Sequence, residues 1–223
     1  MGNKKFQSSL TKKFVMAFMG LFLITFLFVH LGINFLVLLP DTTAFNVAAH
    51  FMATNPVIKV FEVVLFGGFI IHIIYGLILQ IQNWMARPNR YKIEGWSHTS
   101  PFSKFMIHTA AIIFIFLAIH LADFYFKAKF GHIGEVTIDG ETFHDMAALV
   151  LAKFKIFGFV IGYILAFIIL GFHLHHGFQS AFQSLGLNNR TYTPFIKSLS
   201  TIISIVLALG FIVIPVAIYF GNF

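Results

Sequence analysis

Four of the eleven histidines in this chain stand inside long apolar runs: His30, His72, His120 and His173. A neutral imidazole offers a lone pair to a metal and accepts a proton near neutral pH. Ionisable side chains are expensive in lipid, so a ring at such depth marks function by default. The stretch GFHLHHGFQS, residues 171–180, places three imidazoles within four positions at the close of an apolar run. Three chemistries compete for it: a surface cluster at a helix end, a proton path, and a metal held inside a membrane bundle.

The elements that must position these rings follow from composition. The 223 residues are 58% hydrophobic and 10% charged, against about 25% charged in an average soluble domain. This is an integral membrane composition. The absence of cysteine excludes disulfides, thiolate iron–sulfur ligation and cysteine-linked haem within the chain. The formal charge of +7 comes from residues scattered at the ends of apolar runs, a topology signal rather than a nucleic-acid surface.

Five stretches are long enough to cross a hydrocarbon core, which takes about 20 helical residues. They run approximately over 14–38, 57–82, 103–127, 156–180 and 195–220. The first is too long for a signal-peptide core and lacks a small-residue cleavage site, so it is read as a retained span. The expected fold is all-α, a single five-helix membrane domain over residues 1–223. With a cytoplasmic N-terminus, the inner side collects Lys4, Lys5, Lys12, Lys13, Arg87, Arg90, Lys92, Lys104, Arg190 and Lys197. The outer side holds Lys59, Lys127, Lys129, Lys153 and Lys155, with most of the acids. The excess of positive charge inside favours N-in and C-out. The longest connection, 128–155, then lies outside, and its TIDGET suits a tight hairpin because Asp-Gly favours one.

Depth separates the histidines. His50, His98, His132 and His144 fall in connections and read as solvated. Helix direction alternates, so at about 1.5 Å per residue His30 and His120 lie roughly 6 and 7 Å to the outer side of the middle. His72 and His173 lie roughly 4 and 7 Å to the inner side. A lone intramembrane histidine can simply hydrogen-bond a neighbouring helix; four of them sorting into two level pairs ask for more. Two imidazoles facing each other from different helices are what a six-coordinate haem iron requires, and with both axial positions filled the iron shuttles electrons rather than binding oxygen. Small residues leave room: Gly67, Gly68 and Gly76 around His72, Gly171 and Gly177 about His173, Gly20 and Gly32 on the first helix. Close helix packing in lipid explains any one of them as well. Of the histidine triplet, His173 is deepest and is preferred over His176. His175 points nearly opposite, and both suit a haem propionate or a partner surface near the inner interface. His108, at the inner end of the third span, reads as a non-ligand.

One histidine in each of the first four helices, none in the fifth, and FHLHHGFQSAFQSLG at 172–186 carry a resemblance that covers essentially the full length. The chain resembles the dihaem cytochrome b membrane anchor of succinate dehydrogenase and fumarate reductase (respiratory complex II), in its single-chain five-helix form. QNWMARPNRY at 82–91 is similar to the Bacteroidetes branch of that family. The resemblance implies His30 and His120 as ligands of a distal haem b and His72 and His173 as those of a proximal one. The family's ligand stands four residues before a glycine, as His173 does before Gly177. It also implies a flavoprotein with covalent FAD and an iron–sulfur subunit on the cytoplasmic face, and menaquinone in a bacterial inner membrane. Dicarboxylate chemistry would then belong to the partners, with no catalytic residue in this chain. Arg87, Arg90, Lys92 and Arg190 would meet haem propionates or the soluble partner, unless they only set topology.

Two departures stand out. Gly171 occupies the position where some fumarate reductases of this group carry a glutamate used as a proton route. Their glutamate near the quinone has no clear counterpart; Glu62, His50 and Asp123 are nearest, and pairing of Glu62 with Lys59 is an equally good structural reading. Two rivals remain. In dihaem cytochromes b of bc-type complexes, two helices each supply two ligands, and only His108 and His120 resemble such a pair; hydrogenase and formate dehydrogenase anchors belong with them. A haem-free transporter or proton channel would be expected to carry more intramembrane acids and broken helices.

Overall fold

In a computed structural model, residues 9–85, 105–131 and 133–221 are described. Lys4, Lys5, Arg87, Arg90, Lys92, His98, Lys104 and His132, with most of QNWMARPNRY, lie outside them.

The apolar runs form helices because in lipid each backbone amide must find its partner within its own segment. Helix α1 (Ser9–Phe35) ends in a 3-10 turn, Leu36–Leu38, and is followed by α2 (Thr43–Thr54). Next come α3 (Pro56–Met85) and α4 (Met106–His120). A π-helical turn, Leu121–Tyr125, joins α4 to the short α5 (Phe126–Phe130). Strands β1 (Glu135–Ile138) and β2 (Glu141–His144) precede α6 (Met146–Phe154), α7 (Phe157–Ser184) and α8 (Tyr192–Phe220). Among the described residues five helical stretches are long and apolar enough to cross a membrane: Leu10–Leu38, Pro56–Met85, Met106–Phe130, Phe157–Ser184 and Tyr192–Phe220. The third ends about a turn later than the sequence suggests, because the π-helical turn carries helical structure on through Phe130, and its expected start at 103 lies outside the described residues.

Helix ends follow local chemistry. Asn55 Oδ1 accepts from the backbone N–H groups of Val57 and Ile58, with Pro56 at the first position where a missing N–H costs nothing. Gly186, at φ +84°, closes α7: its N–H reaches the Gln183 carbonyl, and Leu187 N–H reaches Phe182. In the expected hairpin, Asp139 and Gly140 have φ of 51° and 85°, a two-residue turn between the paired Ile138 and Glu141.

Packing makes a square of four helices with a fifth behind. α1 packs on α3 and α7, and α7 packs on α4. α3 meets the π-helical turn and α5 that continue α4, with Phe66 against the Tyr125 ring at 5.2 Å and Glu62 with Lys129 at 2.6 Å. That leaves α1 opposite α4 and α3 opposite α7. α8 lies in the groove between α7 and α1, allowed close by small residues. A Cβ on Gly171 would stand 3.0 Å from that of Ala208, and one on Gly210 would stand 2.7 Å from Leu31.

Residues 36–55 and 133–154 are not simple loops. α2, the hairpin and α6 form a lid over one end of the bundle, sealed by Val37, Phe45, Phe143, Ala147 and Val150, all buried. Asn46, 2% exposed, is its latch: Nδ2 donates to Asp145 Oδ1 at 3.1 Å and Oδ1 accepts from Ala147 N–H at 2.9 Å. Asp145 in turn caps α6, accepting from Ala148 N–H at 3.0 Å. Replacing Asn46 with Ala leaves Asp145 and Ala147 N–H short of a partner, at a cost of about 1–3 kcal/mol. The expected result is faster hydrogen exchange in α6 with α7 unchanged; equal protection in wild type and variant would contradict the latch.

A candidate two-tier histidine site

The square arrangement turns the four deep histidines into two diagonals. His30 on α1 faces His120 on α4, their ring centroids 5.8 Å apart and their planes nearly perpendicular at 89°. His72 on α3 lies close enough to His173 on α7 for the two rings to interact electrostatically. The first pair is nearer the lid. The second is nearer the opposite end, where His72 touches the start of α1 and His173 the start of α4.

The distance between tiers can be read along three helices. His72 contacts Met16 and Gly20, about twelve residues before His30 on α1. Thr109, beside His173, precedes His120 on α4, and Tyr163, beside His120, precedes His173 on α7. At 1.5 Å per residue these offsets agree on roughly 15–18 Å.

Aromatic rings wall the lid-side tier. Phe26 stacks on His30 with centroids 5.3 Å apart, and Phe211 of α8 stands 5.9 Å from the same ring. Phe116 and Phe124 flank His120 at 5.8 and 5.4 Å. Tyr163, 4% exposed, sets its hydroxyl 3.3 Å from His120 Nδ1. Asn34 donates to the His30 carbonyl at 2.8 Å and keeps its Nδ2 3.4 Å from both nitrogens of that ring.

The far tier is held differently. His72 Nδ1 lies 3.3 Å from the Met16 carbonyl, and His173 Nδ1 lies 3.3 Å from Thr109 Oγ1. Gly20 gives His72 its place, since a Cβ there would stand 3.2 Å from the ring's Cε1. The other glycines do different things: Gly68 faces Phe22 and Met19, Gly177 faces Met106, and Gly32 and Gly67 face open space.

Four further described histidines have other surroundings. His175 turns toward α8, its Nε2 3.2 Å from Gln179 and 3.3 Å from Thr201. His176 is half-buried beside His173. His108 is exposed at the start of α4, its ring 6.0 Å from Phe105. His50 sits on α2 with its ring 4.7 Å from Phe143, in the lid.

Charged side chains gather at the lid end. Glu62 takes Lys129 at 2.6 Å, Lys59 at 3.5 Å and the hydroxyl of Tyr125. Asp123, in the π-helical turn, pairs with Lys153 of α6 and with Lys127 at 3.4 Å. The pairing expected between Glu62 and Lys59 is therefore present, but Lys129 is the closer partner. The sequence alone does not single out Tyr163, Thr109 or the Met16 carbonyl. The one available signal was a hydroxyl within an apolar run, at Thr109 and Tyr163.

The donor set fits an axially ligated macrocycle. Each tier would offer a porphyrin iron two imidazoles, one from each of two opposite helices. His30 and His120, with ring centroids 5.8 Å apart, are the residues that would hold such a group in the lid-side tier. Nδ1 of His72, His120 and His173 each has a neighbour, the pattern that orients a metal-ligating ring through its other nitrogen. No family model, curated protein or solved structure matches the chain.

Proposed function

We propose that this chain is the dihaem cytochrome b membrane anchor of a succinate:quinone oxidoreductase, either succinate dehydrogenase or fumarate reductase. In this reading it sits in a bacterial inner membrane with its N-terminus in the cytoplasm. The observation that carries it is the pair of imidazole diagonals at two levels. The sequence resemblance, one histidine on each of the first four helices, supports the particular family.

His30 and His120 hold one haem b toward the outer side, and His72 and His173 hold the other toward the inner side. Bound there, haem b supplies a one-electron iron couple on each tier, the chemistry needed between an iron–sulfur subunit and membrane menaquinone. The chain's own part is to present neutral nitrogens, orient them and keep water away. Tyr163, Thr109 and the Met16 carbonyl orient three of the rings. Phe26, Phe116, Phe124 and Phe211 exclude water from the outer tier, and the lid covers it. The soluble flavoprotein, with covalent FAD, and the iron–sulfur subunit dock on the cytoplasmic side, where Arg190 and Lys197 lie. Succinate or fumarate chemistry belongs to the flavoprotein.

A pyridine haemochrome assay on the purified chain is expected to give two haem b per polypeptide; none would remove the reading. His173→Ala should lose one spectral component, whereas His175→Ala, whose ring faces α8, should keep both. Loss of a haem in the second variant would overturn the ligand assignment. Gly20→Val, which drives side-chain atoms into His72, should also lose the inner haem. Gly68→Ala, whose Cβ would meet Phe22 at an ordinary 3.5 Å, should retain both haems. Membranes containing the whole complex should show reduction of this chain's haem by succinate; a reduced spectrum that appears only with dithionite would argue against the assigned partners.

A further inference from the structure

We propose that Thr109 is the positioning residue of the inner tier, fixing the proton of His173 on Nδ1 and so making Nε2 the donor nitrogen. This rests on the cofactor reading above and deepens it. The hydroxyl of Thr109 has one hydrogen, and it is committed: Oγ1 donates to the Met106 carbonyl at 2.9 Å. Toward His173 Nδ1, 3.3 Å away, the same oxygen can only accept. The nitrogen facing it therefore carries the hydrogen. A neutral imidazole has a single N–H, so Nε2 keeps its lone pair.

His72 reaches the same state by another route. Its Nδ1 lies 3.3 Å from the Met16 carbonyl, which has no hydrogen to give. Both inner rings are thus set as Nδ1–H tautomers before any metal arrives. The outer tier has no such constraint. The Tyr163 hydroxyl beside His120 can donate or accept, and Asn34 Nδ2, a donor, stands equally far from both nitrogens of His30. A threonine hydroxyl bonded back to a carbonyl in the preceding turn is an ordinary helix habit. In α4 that habit gives the Thr109–His173 hydrogen bond its direction. An acceptor on Nδ1–H also makes the ligating nitrogen more basic, which favours ferric over ferrous iron.

The test uses the full chain in lipid as wild type, Thr109→Val and Thr109→Ser. Solid-state 15N spectra of labelled histidine, taken before haem loading, should show His173 with its hydrogen on Nδ1 in wild type and in the Ser variant. In the Val variant one histidine should shift toward the Nε2–H form. With haem bound, Thr109→Val should lower the ferric-to-ferrous ratio of the inner component about tenfold at a fixed poise, a rise of about 59 mV in midpoint. Thr109→Ser should restore it, and the outer component should not move. Tyr163→Phe should shift the outer component alone. A wild-type His173 with its hydrogen on Nε2 would overturn the proposal, as would a Val variant unchanged in both tautomer and midpoint, or a Ser variant that behaves like Val. If no haem binds, the cofactor reading fails, while the 15N spectra still decide the role of Thr109.

Discussion

The constraint that organises this molecule is the cost of an imidazole in a lipid-spanning helix. A polar ring there must meet a partner: His30 and His120 meet each other across a diagonal of a helix square, while His72 and His173 find theirs on neighbouring helices, at the Met16 carbonyl and at Thr109. His30 and His120 face each other at 5.8 Å, and His72 and His173 stand at the other level. Opposite helices cannot touch closely, or the rings would have no space between them. The packing that stabilises the bundle therefore runs around the edges: α1 on α3, α7 on α1 and α4, and α8 drawn into the groove between α7 and α1. Gly171 and Gly210 permit that last approach, and Gly20 permits the ring of His72.

The two ends of the bundle are built differently. At one end α2, the hairpin and α6 close over His30 and His120, latched through Asn46 and Asp145. Asp123 and Lys153 tie this lid to the π-helical turn that follows His120. Such turns tend to occur at functional sites, and this one lets the chain leave the ring and reach the lid's lysine within three residues. Partly exposed ion pairs of this kind add little stability singly; their effect is to fix orientation. At the other end the α7–α8 turn is short and closed by Gly186, and His175 lies within hydrogen-bond distance of Gln179 and of Thr201 of α8.

Much of this was legible in the sequence. Five spans, the Asp-Gly hairpin and the outlying position of His108 follow from apolar length, turn chemistry and depth. The nearness of His30 to His120 followed too, because alternating helix direction converts residue number into depth. What the sequence hides is rotation. His173, His175 and His176 differ by single steps around one helix, and only the packing partners say which ring faces α3 and which faces α8. The lid was read as plain connection because α2 and α6 are short and get their stability from each other and from Asn46, a residue that looks ordinary in a polar stretch. Thr109 and Tyr163 are hidden for a similar reason. One hydroxyl in an apolar run carries no pattern until the ring opposite it is known.

The measurement that bears most directly on the central claim is near-infrared magnetic circular dichroism of the oxidised chain in lipid, which reports the axial ligands of ferric haem. Two low-spin centres, each with two imidazole nitrogens, are the result the account predicts. A high-spin centre, a sulfur or oxygen axial ligand, or no ferric haem signal at all would contradict it.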